Sequence, residues 1–201
     1  ALGIKIAQFD DYLSELWTII GDGRRLVRET QRTLLVNKVL GSVALPLLSR
    51  SAGRPGFVRL IEGLVQRAGE GMALDGHRAE LAQHPVAREI LGVVDAYAGL
   101  LEESRLIESA EAAIRLADHL GRQDIPDLIV INRMSGFTRS QERFIERASI
   151  LGCEVLVALT WIEGHPATLA ADDTVVRLSA IPGTIRTEIA EPEVGDPDVR
   201  S

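Results

Sequence analysis

The sequence predicts an α/β protein in which a small parallel sheet carries a large, wholly helical region. Two observations point there. Up to about residue 122 the apolar residues recur at helical spacing, and farther on two short apolar-rich runs, Leu128–Ile131 and Glu154–Thr160, flank a helical stretch. A third observation sets the scale. A chain of 201 residues, 46% hydrophobic and 25% charged, can bury a core without disulfide or metal staples.

Taken in order, Ile4-Lys5-Ile6 is a short extended segment, and Phe9, Leu13, Leu16, Trp17 and Ile20 paint one stripe of a helix that Gly21-Asp22-Gly23 stops. A second helix is expected from about Arg24 to Leu40. Gly41, Pro46 and the polar segment Ser49 to Gly56 then interrupt the chain, and Phe57 to about Ala68 resumes as helix. A turn-rich stretch through Gly69, Gly71 and Gly76 follows. After His84-Pro85, amphipathic helices are expected from Val86 to Glu103 and from Ser109 to Leu120, giving room for six helices before residue 122. The run Leu128-Ile129-Val130-Ile131 reads as a strand buried on both faces of a parallel sheet, Gln141 to Leu151 as a helix, and Glu154 to Thr160 as the second strand. Such a β-α-β unit crosses over right-handed. Further strands are expected at Thr174–Leu178 and Thr184–Ile189. The domain plan is therefore residues 1–20 opening the core, 21–122 a helical region, 123–190 the α/β core and 191–201 a linker.

Composition excludes several classes. The net charge of −7 and a pI of about 5.2 repel a polyanion unless positive charge clusters locally. No apolar stretch is long enough for a membrane helix, so no membrane partner is expected. A lone cysteine, Cys153, cannot form an intramolecular disulfide; it reads as an inert core thiol in a cytoplasmic protein. The start, Ala1-Leu2-Gly3, has neither initiator Met nor signal peptide, as expected of a piece of a longer chain.

Most catalytic constellations are missing. His77, His84, His119 and His165 are scattered, so no metal or cofactor site is expected. No serine sits in a G-x-S-x-G elbow. A restriction-type nuclease strand would need Glu-x-Lys, and here it reads Glu154-Val155-Leu156. Gly21-Asp22-Gly23-Arg24 follows a helix instead of a strand, which makes it a helix stop and not a dinucleotide loop. No G-x-x-x-x-G-K-[ST] loop occurs.

The informative stretch begins on the first strand: Ile129-Val130-Ile131-Asn132-Arg133-Met134-Ser135-Gly136-Phe137-Thr138-Arg139-Ser140-Gln141. A P-loop motor ends such a strand with two acids, one for Mg²⁺ and one to position water. In pattern this stretch resembles the second motif of UvrD-like superfamily 1 helicases, an apolar strand followed by D-E-x-Q-D-x-x-x-x-Q. Asn132 stands on the first acid, Arg133 on the second, Gly136 on the later Asp and Gln141 on the final Gln. Most closely it resembles the AddB subunit of bacterial AddAB-type helicase-nucleases, whose helicase half has lost its ATP chemistry. Three more stretches are similar to that family: Ile4 to Leu13, with Gln8 in the usual Thr place; Gly56 to Ile61; and Val94 to Leu101. Together they span roughly residues 1 to 180.

The resemblance implies a small parallel sheet of P-loop helicase type with a helical insertion, silent in ATP chemistry. It also implies a place in a complex with a motor-nuclease subunit that processes DNA double-strand breaks. Where active helicases sense the γ-phosphate with G-D-x-x-Q-S-I-Y, this chain has Trp161-Ile162-Glu163-Gly164. Arg24, Arg25, Arg28 and Arg32, read as one helix, are candidates for phosphate contact, against a solvated face paired with Glu29. The alternative from another class is an α/β interaction or regulatory module with no link to DNA, since fold does not fix function.

Overall fold

The computed structural model describes residues 4–69, 74–134, 136–162, 165–166 and 168–187. The elements are α1 (Phe9–Ile20), β1 (Arg25–Leu26), α2 (Glu29–Ser42), α3 (Pro55–Gly69), α4 (Leu74–Leu81), α5 (Pro85–Glu103), β2 (Leu106–Ile107), α6 (Ser109–His119), β3 (Leu128–Met134), α7 (Arg139–Ile150), β4 (Glu154–Leu159) and α8 (Leu169–Ser179). The protein is mixed α/β, with six helices among the described residues before 122. It forms two compact units, 1–160 and 161–201.

The first unit holds two cores. One gathers Leu13, Leu16 and Trp17 of α1, Ala112, Ala113 and Leu116 of α6, and Phe144 and Ala148 of α7, with Ile107, Leu120, Ile125 and Cys153. Its aromatic centre is built edge to face: Phe144 stands 5.8 Å from Phe9 and 6.0 Å from Tyr12, ring centre to ring centre. The other core is helical and packs Val36, Val39 and Leu40 of α2 against Val58, Ile61 and Val65 of α3 and Val93, Tyr97 and Leu101 of α5. α6 belongs to the first core, so the expected helical region 21–122 does not pack as one body.

Among the described residues the strands form two separate parallel pairs in place of one sheet. β1 lies beside β2 with Arg25 opposite Leu106 and Leu26 opposite Ile107. β3 lies beside β4, Leu128 opposite Glu154 through Ile131 opposite Val157. The β3-α7-β4 crossover is closed by a Schellman turn: the Cys153 N–H donates to Ala148 O at 3.0 Å and the Gly152 N–H to Ser149 O at 2.9 Å. That turn puts Gly152 at φ +84°, where a residue without Cβ is unstrained. Cys153 then enters the core, and burial pushes its thiol pKa up, as an inert thiol requires.

Ile4-Lys5-Ile6 pairs with no strand among the described residues, and Ile4 and Ile6 are exposed. Several expectations are corrected. The second helix begins at Glu29 and not at Arg24, because Arg25 and Leu26 pair with β2. Gly76 lies inside a helix, α4, where the sequence suggests turns. The strand expected at Thr174–Leu178 is part of α8: Ala171, Thr174 and Leu178 are buried at helical spacing, and that period overrides the β-branched composition. Of Thr184–Ile189, residues 184–187 have no regular structure and 188–189 lie outside the described residues. β3 is not buried on both faces either. Ile131 faces the core, whereas Leu128, Val130 and Leu156 on the opposite face are 49%, 60% and 51% exposed. No described helix is long and apolar enough to cross a membrane.

Candidate functional site

The segment singled out by its motif is the junction from β3 to α7. Pairing with β4 is regular through Ile131 and resumes at Met134 opposite Leu159, with an irregularity between them. Asn132 and Arg133 therefore occupy the break in the ladder near the carboxyl end of β3. Asn132 is exposed there. Irregular pairing of this kind re-aims side chains at a strand end. Gly136 follows, and Phe137 turns inward to meet Phe9 edge to face at 6.1 Å.

Gln141 is buried, and its contacts are fully defined. Thr138 is the N-cap of α7. Its N–H donates to Gln141 Oε1 at 2.9 Å, while its Oγ1 accepts from the Gln141 N–H at 3.4 Å. This is a capping box, two helix-end donors satisfied by one Thr-x-x-Gln pair. The remaining end of the amide, Nε2, donates to Asp10 Oδ1 at 2.7 Å in the first turn of α1. A carboxylate there also sits favourably at the positive end of α1. Gln141 thus locks the amino ends of α1 and α7 together beside the end of β3. Gln8, in the place where the resembling family carries Thr, is the N-cap of α1 but makes no side-chain capping bond.

The four arginines do not share a helix face. Arg24 precedes β1, where it donates to Asp22 through Nη2 at 2.6 Å and stands 3.6 Å from Glu102 and 3.9 Å from Glu111. Its hydrogen bond holds the Asp22 carboxyl below the usual range. Arg25 is in β1 and exposed. Arg28 is the exposed N-cap of α2. Arg32, one turn into α2, donates to both oxygens of Glu108, with Nη2 to Oε2 at 2.6 Å. Glu108 is 2% exposed and also accepts from the Tyr97 hydroxyl. Burial, then the hydrogen bond to Glu108, raises the Tyr97 pKa. Two of the four guanidinium groups are therefore neutralised internally, leaving Arg25 and Arg28 facing solvent.

No family model matches this chain, and no curated protein matches it. Among the described residues no three His, Cys, Asp or Glu side chains converge as metal ligands. Trp161 begins the second unit, and Glu163 and Gly164 lie outside the described residues.

The buried Arg32–Glu108–Tyr97 network escaped the sequence reading, and so did the role of Gln141. A signal existed for the second: Thr-x-x-Gln ahead of an amphipathic helix is a capping-box signature. None existed for the first, since Arg32 and Glu108 are 76 residues apart.

Proposed function

We propose that this chain is a catalytically silent helicase-like segment, related to the AddB subunit of helicase-nucleases that process DNA double-strand breaks. The β3-α7-β4 unit, with α1 and α6 packed on α7, would belong to a P-loop-type core, and α2, α3 and α5 to an inserted helical region. The observation that carries the reading is the position of Asn132 and Arg133. They stand near the carboxyl end of a parallel strand followed by a capped helix, the place where a motor keeps its two acids. An amide and a residue of cationic type cannot hold Mg²⁺ or polarise water as a carboxylate pair does. The work left to such a segment is to scaffold an active motor-nuclease subunit and to guide DNA, with the exposed Arg25 and Arg28 as its phosphate contacts. Gln141 supports the reading less than its register suggests, because helix capping alone accounts for it.

A second reading, an α/β interaction module with no link to DNA, is favoured by one observation. Arg24 and Arg32 are already paired with carboxylates in a chain of net charge −7. Fluorescence anisotropy with a labelled single-stranded oligonucleotide at low salt separates the two. The DNA reading expects weak, salt-sensitive binding that the double variant R25E/R28E abolishes. An oligonucleotide that stays free, or one held equally well by the double variant, favours the second.

A further inference from the structure

Within the second unit, α8 and the residues flanking it form an open cleft of about 590 Å³, lined by Trp161, Asp172, Val175, Val176, Ser179 and Arg186. The Trp161 indole N–H donates to Asp172 Oδ1 at 2.6 Å, which fixes the plane of the ring. The Arg186 guanidinium carbon lies 4.6 Å from the centre of that ring. An indole face draws a cation to its negative quadrupole, and the adjoining carboxylate supplies a counter-charge. Val175, Val176 and the indole itself give an apolar lining that a strongly hydrated metal ion would not favour but an organic cation would. The site therefore has the chemistry of organic-cation recognition, and a cation from the chain itself already sits in it.

We infer that the Trp161–Asp172 cleft is a binding site for a guanidinium or alkylated ammonium group, and that Arg186 plugs it in cis. A tethered group competes at an effective concentration on the order of millimolar. An external cation of the same chemistry is therefore masked while Arg186 is present and admitted when it is gone. This assignment is independent of any role of β3 in a DNA-processing complex.

The two tryptophans make the test direct. Trp17 is 2% exposed and donates to Arg24 O at 2.8 Å, so its indole N–H signal is an internal reference for that of Trp161 in ¹H–¹⁵N spectra of the full chain. Arginine amide is titrated into wild type and R186A, a change at an exposed side chain. In R186A the Trp161 signal should move saturably at millimolar ligand while that of Trp17 stays fixed. Wild type should need at least about twofold more, because a tethered competitor at a millimolar effective concentration raises a millimolar half-saturation by one plus the ratio of the two. D172N in the R186A background should weaken binding several-fold. A short arginine-containing peptide in parallel distinguishes the source: tighter binding than the amide identifies a partner's side chain, and equal binding a free cation. The inference is overturned if neither probe moves the Trp161 signal of R186A, or if both indoles shift alike.

Discussion

The two cores of the first unit are built in different ways. The core of α2, α3 and α5 is formed within one stretch of chain by apolar stripes on helices. The core of α1, α6 and α7 joins distant parts of the sequence: Gln141 and Asp10, its polar clasp, are 131 residues apart. The candidate site belongs entirely to the second kind. Local packing can hold a fold together, but only long-range closure brings a strand end, a helix cap and a remote carboxylate to one place. The two cores are stitched by Arg32, Glu108 and Tyr97, since Tyr97 packs in the helical core while Glu108 stands at the start of α6.

The comparison can be broken most forcefully at its centres. F144A should destabilise the chain by about 3–5 kcal/mol, and I61A in the helical core by about 2–5 kcal/mol. Urea unfolding in a W161F background, where Trp17 is the remaining tryptophan, followed by fluorescence and by circular dichroism, checks both. If the stitch couples the cores, the two probes move together in each variant, and if it does not, I61A melts the helical signal first. Cutting the stitch itself comes next: E108A leaves the buried Tyr97 hydroxyl and the half-buried Arg32 guanidinium without their shared acceptor, at a cost of about 1–3 kcal/mol. A loss below about 1 kcal/mol would mean that the network does not join the cores.

Smaller effects sharpen the picture. Q141A removes the capping box and the clasp to Asp10, which should cost about 1–2 kcal/mol. Alkaline pH tests the buried phenol of Tyr97 and the half-buried phenol of Tyr12. Burial raises the pKa of Tyr97 and of Tyr12 above the ordinary value, and these are the two tyrosines of the chain. The folded state therefore holds phenol protons that the unfolded state releases near pH 10, roughly the reference value. Their stabilisation is complete below that pH and is lost as pH rises toward the folded-state values. Tyrosinate absorbance should accompany unfolding instead of preceding it, and Y97F should flatten the alkaline loss. The smallest change is expected at the open sheet face, where L156N should stay within about 0.5 kcal/mol of wild type. A larger loss would mean that this face is covered in solution.

Many of the helices, in both cores, were legible in the sequence, because stripe spacing and helix stops are local signals. α1, α5 and α6 begin and end within two residues of where Phe9, Gly21, Pro85, Glu103 and Ser109 suggest. Failures came where distant contacts decide. Arg25-Leu26 pairs with a two-residue partner, β2, that no propensity marks, and this displaced the start of α2. Thr174-Val175-Val176 looks like a strand until its burial period is known. The apolar β3 suggests burial on both faces, but α7 packs against only one. At the candidate site the strand end was legible from the apolar run ahead of Asn132. The contact of Gln141 with Asp10 was not, since nothing in either segment names the other.

Isothermal calorimetry of the whole chain with Mg-ATP tests the central claim most directly. With Asn132 and Arg133 in place of two acids, titration should give no heat beyond dilution. Saturable binding at micromolar affinity would show a working nucleotide site and contradict the assignment of a silent segment.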